Sequence, residues 1–440
     1  MLHCRDMPVA RLLYTLLLVV ALPAAALFLL WRSRRHRGYR HHWGERFFGL
    51  LPLPAGATAS RPLVWIHAVS VGETRAAQPL VEALLMQSPG LRILVTHGTP
   101  TGRETGEALF GDRVEHGYLP YDLPWAVNTF LDRQRPAIGL LMETEVWPNL
   151  VAACTARRIP LCLINARLSE RSGRGYGRLR PLAVPAFTGL TRVVAQTAAD
   201  AARLSALGAR DVRIAGNLKS DAEPDPRLLA RGKRWRAAWD NAAGTRQPRP
   251  VWLAASTREG EDGAVIDACR HLAETIPDVL LLWVPRHPHR VPDIERALDA
   301  AGLAHRRRSL DPDPGPGMAV WIGDTLGELA AYIAAADVVF MGGSLVELGG
   351  QNLLEPCAQG KPVLVGPHTF NFMDVTREAV ETGAALRVTD GRALGESVEH
   401  LLGDDERRSA MGRSALALRQ RHRGSLAQTL AALEGLLPQS

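Results

Sequence analysis

From Leu63 onward the chain alternates short apolar runs with longer amphipathic segments. The runs Leu63–Val69, Leu91–His97, Ala137–Met142, Leu161–Asn165, Arg192–Gln196 and Val212–Ala215 are rich in aliphatic and β-branched residues, as strands buried on both faces must be. Most are followed by a Gly-, Ser- or Thr-containing turn and then by apolar positions at helical spacing, as in Thr74–Met86 and Pro148–Arg158. The rhythm breaks at 221–250, where Pro224, Pro226, Pro248 and Pro250 stand among charges around a helical piece, Leu228–Trp239. It resumes with Val251–Ala255, Val279–Val284, Ala319–Ile322, Val338–Met341 and Pro362–Val365, and the tail after Asp404 reads as one or two helices. This pattern predicts an α/β protein with a first lobe over 51–220, a linker over 221–250 and a second lobe over 251–440. The two lobes are expected to face each other across a cleft.

A different pattern precedes the first lobe. Leu12–Trp31 is twenty residues without a charge, about 30 Å as a helix, one hydrocarbon core. Pro23 interrupts it, which membrane helices tolerate. Arg32, Arg34, Arg35, Arg37 and Arg40 follow it, whereas only Arg5 and Arg11, offset by Asp6, come before. The positive-inside rule then places the bulk of the chain in the cytoplasm behind a single-pass anchor in segment 1–50. A cleaved signal peptide would use Ala24-Ala25-Ala26, but apolar sequence resumes at Leu27–Trp31 and the positive charge stands on the wrong side. A helix buried in the protein is the remaining alternative. Trp43, Phe47, Phe48, Leu50 and Leu51 either rest at the lipid interface or pack into the lobe.

Composition changes this picture in one respect. The chain has 440 residues, 46% hydrophobic and 22% charged, an ordinary globular balance, yet a formal net charge of +7 invites a nucleic-acid reading. Residues 1–50 hold eight arginines (Arg46 completing those above) and two acids, Asp6 and Glu45, which is +6 of the +7; the remaining 390 residues carry 44 basic and 43 acidic side chains. A general nucleic-acid binder is therefore excluded, and the charge reads as a juxtamembrane cluster facing anionic lipid. Five cysteines (Cys4, Cys154, Cys162, Cys269, Cys357), an odd number with no Cys-x-x-Cys, argue against a disulfide framework or a zinc site and for reduced, structural thiols.

In open parallel sheets ligands lie at the carboxyl ends of strands, so the chemistry is sought there. Ser70-Val71-Gly72-Glu73-Thr74 follows the first strand; Gly72 would permit a sharp turn and leave Glu73 in the first helical turn. There Glu73 is either a general base whose pKa is raised by burial or a simple complement to the helix N-terminus. Met142-Glu143-Thr144-Glu145-Val146-Trp147-Pro148-Asn149 puts two acids at i and i+2, one to face the cleft and one to cap. Asn165-Ala166-Arg167-Leu168-Ser169 offers polar groups or is a turn with a surface arginine. Lys219, in Gly216-Asn217-Leu218-Lys219, is one of three lysines among 52 basic residues, so a compact charge has a use there.

In the second lobe, Ser256 and Thr257 would cap a helix or bind phosphate at its N-terminus. Arg286, in Pro285-Arg286-His287-Pro288, suits a phosphate or is a surface residue in a turn. Asp324 or Thr325 would cap the next helix. Gly342-Gly343-Ser344 and Gly349-Gly350-Gln351-Asn352 permit close backbone approach to a ligand, with Asn352 donating to phosphate and Glu355 accepting from ribose hydroxyls. There is no Walker A pattern, no Gly-x-Gly-x-x-Gly with a downstream acid, and no Asp-x-Asp or His/Asp cluster. A nucleotide held by helix N-termini and arginine, without metal or other cofactor, is the reading of these residues.

Tyr39-Arg40-x-x-Trp43-Gly44-Glu45-Arg46, Ser70–Glu73, Met142–Asn149, Asn165–Ser172, Ala255–Glu261, Val284–Pro288, Gly323–Leu329, Gly342–Ser344, Gly349–Pro356 and Gly366–Phe372 are ordered blocks over essentially the full length. Together they resemble the 3-deoxy-D-manno-octulosonic acid (Kdo) transferases of lipopolysaccharide biosynthesis. The resemblance implies a GT-B glycosyltransferase, two Rossmann-like lobes, moving Kdo with inversion from CMP-Kdo to a lipid A precursor of the lipid IVA type at the inner membrane. It implies that Glu73 is the general base and that Glu143 and Lys219 assist the transition state. It also implies that Pro285, Arg286, Leu326, Gly327, Glu328, Asn352, Leu353, Leu354 and Glu355 contact CMP. Two positions depart from the family pattern: Gln351 stands where many members have His, and Ser220 replaces an apolar or aromatic residue after the lysine. Both bear on acceptor detail rather than on reaction class. A GT-B enzyme using a UDP-sugar and a tethered bilobed solute-binding protein share parts of the pattern; CMP against UDP protection, and the side of the membrane on which the C-terminus lies, separate them.

Overall fold

The computed structural model describes residues 9–438 apart from 35, 54–60, 222, 243–247, 277, 312 and 316. Cys4, Arg5, Asp6 and Arg35 of the expected anchor segment, and parts of the expected 221–250 linker, lie outside the described residues. The chain forms two compact units, Met1–Ala222 with His422–Ser440, and Glu223–Arg421.

The first unit is built on seven parallel strands: β1 (Leu63–His67), β2 (Arg92–His97), β3 (Glu115–Tyr118), β4 (Ile138–Met142), β5 (Leu161–Ala166), β6 (Arg192–Ala195) and β7 (Val212–Ile214). Their order is β3-β2-β1-β4-β5-β6-β7. β1 therefore lies between β2 and β4, and the winding reverses there, which makes the ends of β1 and β4 the expected ligand crevice. Trp65 on β1 faces Gly139 on β4 in register. A Cβ at residue 139 would stand 2.8 Å from the indole, so the glycine makes room for this fully buried ring. The second unit repeats the plan with β8 (Val251–Thr257), β9 (Leu280–Pro285), β10 (His305–Arg307), β11 (Val320–Ile322), β12 (Val338–Met341), β13 (Val363–Val365) and β14 (Ala385–Arg387). Here the order is β10-β11-β9-β8-β12-β13-β14, with the reversal between β8 and β12.

Every strand expected from the sequence is present. β3, β10 and β14 were not expected, and each forms an edge of its sheet. Their sequences, EHGY, HRR and ALR, lack the apolar run because an edge strand need not be buried on both sides.

Two expectations about domain limits require correction. The 221–250 segment contains helix Pro226–Ala242, whose Trp235 and Trp239 pack edge-on against the buried Trp321 at 5.0 and 5.6 Å. It is thus part of the second unit's core and not merely a tether. The tail after Asp404 forms two helices, but only Asp405–Arg421 stays with the second unit. Ser425–Leu433 packs on the first unit, where Asp221 accepts hydrogen bonds from the Gly424 and Leu426 amides and Arg192 donates to the Ala432 carbonyl. No local signal in the tail indicates this, because the partners lie some two hundred residues away in sequence.

The apolar segment is one continuous helix, Val9–Arg32, long and apolar enough to cross a membrane. The following Trp-Gly-Glu-Arg block forms helix Trp43–Phe48 and is clamped into the first unit. Glu45 is buried and accepts from the Tyr118 amide at 2.8 Å, and Arg46 lies 3.6 Å over the Tyr118 ring while donating to the Gly98 carbonyl. Arg46 is therefore an architectural cation, unlike the exposed Arg32, Arg34, Arg37 and Arg40. Leu51 is core and Phe47 packs on Tyr121, whereas Phe48 and Leu50 are about half exposed, so that hydrophobic group is divided between the two roles. Cys154, Cys162, Cys269 and Cys357 are free and buried.

Candidate active site

Helix Val71–Gln87 begins where β1 ends. Ser70 is its N-cap, and Glu73, three residues on, closes a reciprocal cap. The Ser70 hydroxyl donates to Glu73 Oε1 at 2.9 Å, the Glu73 amide donates to Ser70 Oγ, and the Val69 amide donates to Glu73 Oε2 at 2.8 Å. Glu73 thus complements the helix N-terminus, one of the two roles expected of it. Burial raises its pKa from 4.5 to about 7, and the nearby Glu143 and Glu145 carboxylates add to the rise against the lowering effect of the Val69 and Ser70 hydrogen bonds. Gly72 does not make the sharp turn expected of it. It sits within the first helical turn outside the left-handed region, and the Lys219 ammonium comes within 3.9 Å of where its Cβ would be.

Glu143 follows β4 directly and adopts φ +56°, a left-handed conformation that costs a non-glycine residue of order 1 kcal/mol. The turn aims a carboxylate only 6% exposed at two cations: Lys219 Nζ donates to Oε1 at 3.2 Å and Arg167 Nε to Oε2 at 2.8 Å. The expected Glu143–Lys219 pair is therefore assembled, although 76 residues separate the partners. Arg167 was open to a purely surface role and instead completes a triad. Asn165, also left-handed at φ +49°, holds the lysine segment in place by accepting from the Leu218 amide at 3.0 Å.

Neither acid of the Glu143/Glu145 pair caps the next helix, contrary to expectation. Glu145 accepts from the Trp147 indole at 2.9 Å. Helix Pro148–Ala156 is capped by Asp122, which accepts from the Asn149 and Leu150 amides at 2.9 and 2.8 Å. Asp122 was missed because its partners are 27 residues away and nothing beside it in the chain announces them.

In the second unit Pro285 ends β9 as a buried residue, and the Arg286 amide is pinned to the Thr257 carbonyl at 3.0 Å, leaving its side chain exposed at the sheet edge. Next to it a cavity of about 450 Å³ is lined by Arg258, His287, His289, Arg290, Val346 and Leu348, with Glu259 and Glu347. The His287 and His289 rings stack at 5.5 Å, and partial burial beside Arg258 and Arg286 keeps the His287 pKa low. Its charged lining is mixed: Arg258 and Arg290 stand with Glu259 and Glu347, and Arg290 is paired with Asp262.

The other expected nucleotide contacts fare unevenly. Leu326 is 81% exposed and Gly327 has φ +83°. The Glu328 carboxylate is buried and held by Arg231, Arg308 and the Thr325 hydroxyl, so this side chain is already occupied by protein partners. It also stands at the N-terminus of helix Leu329–Ala335, where Asp324 or Thr325 was expected; Asp324 instead accepts from the Ser309 amide. Leu353 and Leu354 are core side chains, and their carbonyls accept from the Cys357 and Ala358 amides. Asn352 accepts from the Leu354 amide, and Glu355 is exposed. Gly349 and Gly350 both have positive φ, which accounts for that glycine pair.

Ser256 and Thr257 do not cap the helix after β8. Ser256 takes a left-handed φ of +56° and Thr257 binds the Trp283 indole. The missed residue is Glu261, fully buried at the start of helix Asp262–Thr275. Its Oε2 accepts from the Arg258 and Gly343 amides at 2.8 and 2.7 Å, and its Oε1 from the Ser344 and Leu345 amides at 3.0 Å each. The backbone nest that the sequence suggested for a phosphate is thus filled by the chain's own carboxylate, which fixes the Gly342–Ser344 turn. Among the described residues no group of His, Cys, Asp and Glu has the arrangement to hold a metal ion.

Comparison with known proteins bears on what these sites serve. Residues 41–222 match the family described as 3-Deoxy-D-manno-octulosonic-acid transferase (kdotransferase), and residues 318–417 match glycosyl transferases group 1. A 3-deoxy-D-manno-octulosonic acid transferase from Bordetella pertussis is 48% identical over 97% of this chain and 99% of its own length. The Haemophilus influenzae protein of the same name is 38% identical, with the same coverage of each chain. A probable mitochondrial relative from Arabidopsis thaliana is 31% identical over 85% of this chain and 84% of its own. Among solved structures, a glycosyltransferase from Rickettsia africae aligns with a TM-score of 0.60 at 12% identity, over 87% of this chain and 100% of the other. The UDP-GlcNAc 2-epimerase of Neisseria meningitidis aligns at 0.59 and 15% identity, over 84% and 99%. At those identities the likeness is one of fold, that of the two-lobed GT-B proteins. The end-to-end identity with the curated relatives goes further: this chain belongs to the 3-deoxy-D-manno-octulosonic acid transferase family and is a glycosyltransferase.

Proposed function

We propose that the protein transfers Kdo from CMP-Kdo to a lipid A precursor with inversion, at the cytoplasmic face of the inner membrane. The observation that carries this reading is the state of Glu73. A carboxyl with a pKa of about 7, at the end of β1 and beside the Glu143–Lys219–Arg167 triad, is matched to removing a proton from an alcohol near neutral pH. In the proposed reaction the acceptor hydroxyl oxygen attacks the anomeric carbon of Kdo as its proton passes to Glu73. The bond from that carbon to the CMP phosphate oxygen breaks, and CMP leaves with the electron pair. Arg286 would oppose the charge that grows on the departing phosphate, and the cavity beside it, with Arg258 in its lining, would hold the nucleotide. Lys219, held by Glu143, presents a fixed positive charge near the base and would stabilise the transition state without supplying a proton.

Incubating the purified protein with CMP-Kdo and a lipid A precursor, and weighing the products, tests the reading. A mass increase of one or more Kdo residues with release of CMP is expected, and no transfer with this donor while a UDP-sugar is consumed would refute it. Arg286→Ala should weaken CMP binding at least about tenfold by calorimetry, the worth of one charge-assisted contact. Unchanged affinity would remove Arg286 from the donor site.

A further inference from the structure

The helix Val9–Arg32 has two faces, and they differ in what they touch. Arg11, Tyr14, Thr15, Leu18, Leu22, Ala25, Ala26 and Leu29 are sheltered to varying degrees, at the 3–4 residue spacing of a single helix stripe. Leu12, Leu13, Leu16, Leu17, Val20, Leu27, Phe28, Leu30 and Trp31 are 48–71% exposed on the remainder. The sheltered stripe is anchored to the first unit near both ends. At the N-terminal end Thr15 and Asn149 are hydrogen-bonded, with Asn149 Nδ2 3.0 Å from Thr15 Oγ1, and the Tyr14 hydroxyl bonds to Asp122. At the C-terminal end Leu29 and Ser33 are each 3% exposed, and the Arg32 guanidinium stacks on Tyr39.

This contact pattern conflicts with the simple spanning anchor. If the helix crossed the bilayer with the folded unit on one side, residue 15 would lie about 27 Å along the axis from residue 33, close to the opposite headgroups. Asp122 and Asn149, which cap and begin helix Pro148–Ala156 of the folded unit, could not reach it. The polar side chains of the first half of the helix, Arg11, Tyr14 and Thr15, all turn to the protein, and the outward face is left wholly apolar. It ends on the exposed Arg32, Arg34, Arg37 and Arg40.

We propose that this helix does not cross the membrane but lies along the first unit, its outward apolar face sunk into one leaflet of a bilayer bearing anionic headgroups. The arginines at its C-terminal end pair with phosphates of that same leaflet. The attachment is monotopic, and residues on both sides of the helix lie on the same side of the membrane. The inference rests on the reading of this segment as the membrane-attachment element.

Labelling with a membrane-impermeant maleimide tests it in right-side-out and inverted inner-membrane vesicles. Cys4 is a ready probe before the helix because the other four cysteines are buried. Ser440→Cys in a Cys4→Ser background probes the far terminus. Labelling of both only in inverted vesicles is expected. Labelling of residue 4 and residue 440 in opposite vesicle types would overturn the proposal in favour of a spanning helix. Labelling of both only in right-side-out vesicles would support the flat helix while refuting the cytoplasmic placement. Recovery of the intact protein in the soluble fraction, with no flotation on phosphatidylglycerol vesicles, would overturn membrane attachment itself.

The paired variant Leu16→Glu/Val20→Glu lies on the outward face. It should reduce flotation on phosphatidylglycerol vesicles about tenfold or more without lowering the melting temperature. If it instead converts a dimer to a monomer and leaves flotation intact, a second copy of the chain covers that face and the proposal fails. Thr15→Cys with Asn149→Cys should cross-link through a short bismaleimide in membranes, and absence of that product would show that the helix leaves the unit when bilayer is present.

Discussion

Replacing Glu73 with glutamine should make the enzyme more stable and nearly inactive, and the two effects have one cause. The carboxyl is lifted from 4.5 to about 7 chiefly because burial disfavours its ionised form, which corresponds to about 3 kcal/mol of folding free energy set against the charge. A folded-state pKa above the unfolded value means that the native state binds the proton more tightly. Its stability is then greatest below about pH 4.5 and declines as the pH rises to about 7, remaining at the lower level above that. Glutamine keeps the shape and can still accept from the Val69 amide and meet the Ser70 hydroxyl, but carries no charge at any pH. Because Glu73 is only half-buried, solvent screening leaves about 1–2 kcal/mol to be recovered, a few degrees in melting temperature for a unit of this size. Calorimetry of the wild type and Glu73→Gln at several pH values should show the variant melting higher at pH 8, with the gap closing toward pH 4.5. Transfer should fall by about 10²–10⁴, the usual worth of a general base, while CMP affinity is unchanged. A melting difference that does not vary with pH would refute the buried-carboxylate argument, and full activity would refute the assignment of the base.

Glu261→Ala removes the acceptor for four backbone amides at once, so a loss of about 4 kcal/mol or more is expected in urea unfolding, together with weaker CMP binding as the Gly342–Ser344 turn loosens. Unchanged unfolding would show that water satisfies those amides. Lys219→Met leaves the Glu143 carboxylate with Arg167 alone; turnover should fall about 100-fold or more with only a modest loss of stability, since one cation remains. A turnover close to wild type in a kinetic assay would reduce the Glu143–Lys219 pair to a structural ion pair.

The strands of both sheet centres were legible in the sequence because each is buried on two faces and must therefore be almost wholly apolar over four to seven residues. The edge strands β3, β10 and β14 were not, since half of each faces outward and the composition is free. The same distinction runs through the site. Glu73, Glu143 and Lys219 could be singled out as residues at strand ends or as a rare lysine, and a parallel sheet does bring strand ends together. Arg167 could be seen but not placed. Asp122 could not be seen at all, and Glu261 only as the last residue of its block and without a role: each satisfies backbone amides belonging to a distant part of the chain, and a carboxylate of that kind looks like any other acid until the chain is folded. The expected caps at Thr257 and Asp324 failed for the complementary reason, because the Trp283 indole and the Ser309 amide took those side chains, while Ser256 is left-handed and Thr325 turns to Glu328 three residues on.

Local sequence by itself determined the α/β rhythm, the apolar length of the N-terminal helix, the concentration of positive charge behind it, and the residue types available at each strand end. These follow from periodicity, burial and composition, which are properties of neighbouring residues. Tertiary structure alone decided that the last helix belongs to the first unit, that Arg46 is buried while Arg32, Arg34, Arg37 and Arg40 are not, and that Arg11, Tyr14 and Thr15 turn toward the protein. It also decided that Glu73 is desolvated enough to titrate near 7. Each of these depends on which distant surfaces meet, because desolvation and pairing are set by the space around a group and not by its neighbours along the chain.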